Sequence, residues 1–352
     1  MFKKKWMVLA AIVAVLAVSA LAGCGTKEAL NEGGVMSAAE PTAEAQAEQE
    51  AVFELKYPSH MAEYGYKESL ILKKEPETIV SLSTYPVLTL FEMGIDLAAV
   101  PSTKVISYPE DYDGVILPGM MSDTFDIETV VALEPDLVIM PVSSAGQYGA
   151  ALEELDIPVY YLALTSTNMD VYSMIKEQTK ELVDAFSSDD EKKVLGEAIL
   201  ARFETSDARL EEIAARVGGK TVMSITVSSE TSVYMNSEAS TLGSMLKRCG
   251  LANVYVPSGE TTGHSMAQMD MEKSLEYNPD LLVVCGSSTL EDNKALMDSI
   301  YALNPEYWDS YAAFKEGRVI YLSSAYVSTA GINIINNFDS LIAELENVEW
   351  EK

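Results

Sequence analysis

Residues 188–219 read SDDEKKVLGEAILARFETSDARLEEIAARVGG, and the fold turns on this stretch. Ser188-x-x-Glu191 has the form of a capping box, with Asp189 and Asp190 adding negative charge to the first turn. Leu195, Ile199, Phe203, Ser206, Leu210, Ile213 and Val217 follow at steps of three and four, which puts them on one helix face. Gly218-Gly219 supplies a left-handed stop. A helix of about 29 residues at ~1.5 Å each is about 43 Å long. Gly196 is its weak interior position, at about 1 kcal/mol against Ala. The helix lies between two halves that resemble each other. This predicts a strut joining two lobes, with a ligand cleft between them.

The resemblance of the halves is an internal repeat. Residues 125–144 (FDIETVVALEPDLVIMPVSS) align without gaps on residues 269–288 (MDMEKSLEYNPDLLVVCGSS), with seven of twenty positions identical. Each copy reads as a short helix, a Pro-Asp turn, a buried strand and a Ser-Ser loop. Before the strut, strands are expected at 78–82, 97–100, 115–117, 136–140 and 158–162, and helices at 84–93, 126–133, 145–155 and 170–186. After it, strands are expected at 221–227, 281–285 and 319–322, and helices at 241–249, 270–277, 306–316 and 329–345. This alternation is the pattern of parallel sheets with helices on both faces. The expected fold class is α/β: two Rossmann-like lobes with mostly parallel sheets, joined by one long helix around a ligand cleft. In open α/β sheets ligands bind beyond the carboxyl ends of strands, so Ser143, Ser144, Ser287 and Ser288 are placed at that cleft.

The N-terminus reads as a targeting segment. Lys3-Lys4-Lys5 is a basic region and Met7 to Ala20 an apolar one, too short for a typical membrane span. Leu21-Ala22-Gly23-Cys24 has the look of a bacterial lipobox, which implies lipid on Cys24. Residues 24–51 are rich in Ala and Glu and lack aromatics, so they bury too little apolar surface to order themselves. Such a coil reaches roughly 30 Å. The expected organisation is therefore a signal peptide over 1–23, a tether over 24–51, a first lobe over 52–169, a helical linker over 170–218 and a second lobe over 219–352.

The chain has 352 residues, and its 48% hydrophobic content is enough for two cores. A formal charge of −30 excludes nucleic acid, which needs Lys and Arg to displace counterions, and argues against docking on anionic lipid. Three cysteines make no disulfide framework. Cys249 and Cys285 read as small buried thiols, with pairing left open. Enzyme motifs fail on inspection. Gly219-Lys220-Thr221 imitates a P-loop end but runs from helix to strand. Residues 263–267 lack the last glycine of a nucleophile elbow. His60 and His264 are the only histidines, too few for a zinc hydrolase. No catalytic residue is assigned.

The lipobox, the tether, the strand and helix over 79–94, the Asp-x-Glu…Pro-Asp-Leu block in each half and the central helix together resemble the Fe/vitamin B12 class of ABC-importer substrate-binding proteins. The resemblance covers roughly residues 70–345. It implies two α/β lobes on one rigid helix, with small hinge motion. It also implies a monomer held outside the cell membrane by its lipid, and a permease with a cytoplasmic ATPase as partners. One surface glutamate per lobe docks on permease arginines in that family; the matching positions are Glu128 and Glu272. The alternative is that both are ordinary solvated acids at helix N-termini.

The resemblance implies an iron complex as cargo, haem or a ferric siderophore, with a corrinoid as the alternative. A chelatase-like metal enzyme and a structural surface protein are the readings from other classes. Arg202, Arg209 and Arg216 recur at seven-residue spacing on the strut, which leaves Arg248 and Arg318 and no arginine clamp for an anionic catecholate. The loops are instead rich in Tyr, Met and Ser, among them Tyr85, Met120, Met121, Tyr148 and Tyr326. That suits a large, partly apolar ligand. The stretch Pro101-Ser-Thr-Lys…Gly119-Met-Met-Ser122 is similar to the first lobe of Gram-positive haem-receptor lipoproteins. There a Met ligates haem iron, and the position carries over to Met121. The second ligand of those receptors, a His, would fall at Ser287-Ser288, so His264 is the substitute. Met/His ligation is sound haem chemistry. Otherwise Met121 is an ordinary apolar residue and His264 a solvated one.

Overall fold

The computed structural model describes residues 52–163, 165–259 and 264–350. Cys24, the signal segment and the tether lie outside the described residues. The chain first forms a hairpin of β1 (Phe53–Leu55) and β2 (Leu70–Leu72), paired antiparallel. Then β3 (Ile79–Ser81), α1 (Val87–Glu92), β4 (Ala99–Pro101), β5 (Val115–Leu117), α2 (Ile127–Val131), β6 (Leu137–Pro141), α3 (Ala150–Glu153) and β7 (Val159–Leu162) build the first lobe. Its sheet is wholly parallel, in the order β5-β4-β3-β6-β7. The central strands β3 and β6 are buried along their whole length, which is what continuous apolar runs under two helical layers require.

Two helices follow, α4 (Val171–Phe186) and the strut α5 (Asp190–Val217). Asp189, not Ser188, caps the strut: its carboxylate accepts from Lys192 N at 2.9 Å. Asp189 holds the extended residue directly before the first turn, so the charged acceptor takes the free N–H. The Ser188 hydroxyl accepts from Lys192 Nζ instead, at 3.2 Å. Six of the seven face residues are buried; Leu195 is half-buried and Gly196 is buried in its stead. A Cβ on Gly196 would lie 2.5 Å from Val183 Cγ1 of α4. That glycine is therefore the point where the two helices cross closely, and packing offsets its low helix propensity.

The arginines at seven-residue spacing stitch the strut to both lobes. Arg202 pairs with Glu92 of α1 at 2.6 Å. Arg209 pairs with Asp339, and Arg216 donates to the Glu346 carbonyl at 2.8 Å.

The second lobe comprises β8 (Thr221–Ser229), β9 (Ser232–Asn236), α6 (Thr241–Arg248), β10 (Ala252–Asn253), β11 (Met266–Gln268), α7 (Met271–Ser274), β12 (Leu281–Gly286), α8 (Leu290–Leu303), α9 (Pro305–Trp308), α10 (Ala312–Lys315), β13 (Val319–Tyr321) and α11 (Asn333–Glu346). Its sheet is mixed, in the order β11-β9-β8-β12-β13, with β10 beside β8. β9 runs antiparallel to both its neighbours, β8 and β11; β8, β12, β13 and β10 are mutually parallel.

One apolar core runs from Ile79 and Leu137 through Phe186, Phe203 and Leu210 to Val222 and Leu281. Both lobes thus share the buried face of the strut, and separate clusters fill their outer sides. Cys249 and Cys285 are buried and unpaired, and burial pushes their thiols up to about 12 and about 11.

Candidate functional site

The acids identical in the two copies of the repeated block owe their places to local structure, with one exception. Asp126 caps α2 by accepting from Glu128 N at 2.9 Å, and Asp270 caps α7 by accepting from Glu272 N and Lys273 N, each at 3.1 Å. The aspartate of each Pro-Asp turn ties its strand to the neighbouring central strand. Asp136 Oδ2 accepts from Glu77 N and Thr78 N at 3.0 Å, so these backbone bonds hold its carboxyl below the usual range. Asp280 Oδ2 accepts from Thr221 N at 2.8 Å and Thr221 Oγ1 at 2.9 Å. Glu128 and Glu272 are the exception. Both are exposed, and among the described residues neither carboxylate makes a hydrogen bond or an ion pair.

A cavity of about 1060 Å³ opens between the segment after β7 (Thr165 to Met174) and the segment from Glu238 to Arg248, with Ser265 at its edge. Its first wall is held from below by residues 59–64, near the start of the described chain. Glu63 accepts from Ser166 Oγ at 2.5 Å, Thr167 N at 3.0 Å, Thr167 Oγ1 at 2.8 Å and Asn168 Nδ2 at 3.2 Å. These bonds lower its carboxyl to about 2. The buried His60 sits in the same turn, 3.2 Å from Gln178 Nε2, and desolvation lowers its ring below the usual value. The opposite wall is held by hydroxyls and backbone. Ser237 Oγ donates to the His264 carbonyl at 2.9 Å, and Ser240 caps α6 by accepting from Gly243 N at 2.9 Å.

Arg248 pins the two walls together at the back. Nη1 reaches Asp170 Oδ2 and Ser173 Oγ, both at 3.1 Å, and Nη2 reaches Asp207 of the strut at 3.3 Å. The guanidinium lies 4.2 Å over the Tyr172 ring. Lys176 meets the same Asp207 at 2.5 Å. Burial alone would raise Asp207; the Lys176 bond and charge, with Tyr172 and Arg248, outweigh it and hold the carboxyl low. The second rim cation, Lys247, pairs with Glu238 at 2.6 Å.

None of the sequence-predicted ligand residues lines this cavity. Tyr85 is half-buried beside the second lobe: a Cβ on Gly331, which has φ +55°, would lie 1.9 Å from the Tyr85 carbonyl. Tyr326 is buried and its hydroxyl donates to the Asn337 carbonyl at 2.9 Å. Met120 is half-buried, with Tyr148 Oη 3.4 Å from its carbonyl. Met121 is 98% exposed, and His264 is exposed. Ser143 and Ser144 follow β6 in a short 3₁₀ turn, Ser143 exposed. Ser287 and Ser288 are exposed after β12, with Ser288 Oγ donating to Asp292 at 2.7 Å. The wall residues Thr165 to Asn168 were missed, although they too follow the carboxyl end of a strand.

Two α/β lobes that share the buried face of one long helix, with a cavity between them and a matched exposed carboxylate on each, fit a solute-binding protein. The chain belongs to the periplasmic binding protein family, whose model matches residues 79–326. It is similar to the uncharacterized ABC transporter substrate-binding lipoprotein YvrC of Bacillus subtilis, 23% identical over 274 residues, 78% of this chain and 81% of that protein. The ferric-anguibactin-binding protein FatB of Vibrio anguillarum is 22% identical over 278 residues, 74% of this chain and 80% of that one. In fold it matches the crystal structure of S. aureus IsdE complexed with heme, with TM-score 0.58 and 17% identity over 77% of this chain and 99% of the other. Proteins of this family carry solutes for ABC importers.

Proposed function

We propose that the chain is a lipid-anchored, extracytoplasmic capture protein that delivers an iron complex, haem or a ferric siderophore, to an ABC permease and its ATPase. The observation that carries this reading is the pair Glu128 and Glu272. Of the acids identical in the two copies, the aspartates all have structural partners, and these two, at equivalent positions on the two lobes, face solvent with none among the described residues. Two such carboxylates suit a roughly two-fold basic surface. The ferric anguibactin bound by FatB and the heme held by IsdE support an iron complex as cargo. The anchor is the lipid on Cys24.

In this reading the cleft holds the cargo, with Tyr85, Met120, Ser143, Ser144, Ser287, Ser288 and Tyr326 on the surrounding loops. For haem, Met121 and His264 are the axial ligands, both free to reach an incoming iron because both are exposed. The test is a titration of the purified protein with haem and with ferric hydroxamate and catecholate chelates. Saturable binding of one iron complex is expected. If that complex is haem, the Soret band should weaken in Met121→Ala and in His264→Ala. Binding of a corrinoid and of no iron complex would overturn the assignment of cargo.

A further inference from the structure

The first lobe carries a second concavity, outside the cleft. A groove of about 290 Å³ runs between α2 and α3, floored by Ile127, Val131 and Leu152 and edged by Ala132, Ala151 and Leu155. Its one charged lining residue is Glu128, at the rim. Leu155 is 57% exposed and Leu152 is buried, so the groove is an apolar slot open to solvent. The stretch of chain that forms it carries charge of one sign. No Lys or Arg occurs between Lys104 and Lys176, while Glu134, Glu153, Glu154 and Asp156 stand in or just after the two helices that form the slot.

The second lobe repeats the apolar neighbours of the glutamate. Met271 and Leu275 hold the positions of Ile127 and Val131 on either side of Glu272, and they are 43% and 50% exposed. An apolar residue just before the free glutamate and another three after it therefore recur on both lobes. On the second lobe neither is required by that lobe's core.

We propose that the slot between α2 and α3 seats an apolar side chain of the permease, carried beside the cation that meets Glu128. The partner segment is thus amphipathic, a basic residue next to an aliphatic or aromatic one. An acidic rim repels acidic partners, and the apolar floor gives a neighbouring side chain a place to leave water. Charge steers the encounter, and the apolar plug slows its reversal. The inference rests on Glu128 and Glu272 being the docking carboxylates.

The test replaces the chromosomal copy with variants and follows uptake of iron-55 supplied as haem and as ferric hydroxamate and catecholate chelates. Leu155→Asp puts a charge in the slot, and Ala151→Trp fills it from its exposed edge. Either should lower uptake by about tenfold, the effect of losing a central interface contact. Cargo affinity of the purified variants should be unchanged, and Leu303→Asp, on α8 of the other lobe, should take up iron like the parent. Ala151→Trp keeps the test decisive if Leu155→Asp folds poorly. Parental uptake by both slot variants, with Glu128→Arg impaired, would overturn the slot and leave the docking carboxylates standing. Parental uptake by Glu128→Arg and Glu272→Arg as well would remove the docking reading itself.

Discussion

The two copies of the repeated block do the same structural work with different neighbours. In both, one aspartate caps the short helix and a second ties two central strands together, through two backbone N–H groups at Asp136 and through a backbone N–H and a hydroxyl at Asp280. The differences lie around that frame. Val130 packs in an apolar cluster, whereas the equivalent Ser274 is buried against the Tyr307 hydroxyl at 2.5 Å. Glu128 overlooks an apolar slot and has no cation near it in sequence; Glu272 is followed by Lys273. The parts shared by the copies fold the lobes, and the unshared parts distinguish how each lobe meets other molecules.

The largest effect that would break this comparison is on transport. Glu128→Arg with Glu272→Arg should abolish iron uptake by whole cells and leave cargo affinity intact. Of the single variants, Glu128→Arg should be the more damaging, because Glu128 stands at the rim of the apolar slot. Equal losses, or normal transport by the double variant, would count against it.

Next in size are the strand ties. Asp136→Ala and Asp280→Ala each strand two donors, at a cost of about 2 kcal/mol for each variant in urea unfolding. A neutral result in one lobe alone would mean that the shared frame is not equally needed.

The smallest effect separates the two cleft walls. In the first, one carboxylate, Glu63, takes four hydrogen bonds; in the second the carboxylate, Glu238, makes an ion pair with Lys247. A carboxyl lowered from 4.5 to about 2 adds stability that is fully present above 4.5 and lost as pH falls through about 2. Amide chemical shifts of residues 165–168 should therefore move between those limits, while those of 240–243, held by the Ser240 cap, move less. Glu63→Gln should loosen the first wall at neutral pH. Matching acid shifts in both walls would remove the distinction.

The sequence was most readable where forces are local. The strut declared itself by a three-and-four apolar period and a capped start, and the lobes by alternating apolar runs and the repeat. The antiparallel strands β9 and β11 were missed because they are short and half-polar, with no apolar run of their own. Helix α8 was missed because only Asn293, Met297 and Ile300 of its fourteen residues are buried, too thin a stripe to stand out. Gly196 looked weak because propensity knows nothing of Val183 across the crossing. Arg248 looked like a leftover cation; its duty at Asp170 and Asp207 exists only once three distant segments meet. The polar wall after β7 was open to the strand-end rule that located Ser143 and Ser287, and applying that rule to every strand would have found it.

The claim on which the rest depends is that this body captures an iron complex. Native mass spectrometry of the protein purified gently from its own cells tests it most directly. The account predicts one small molecule per chain whose mass carries the isotope pattern of iron. A corrinoid, an iron-free metabolite, or a chain that stays unliganded in iron-replete cells would contradict it.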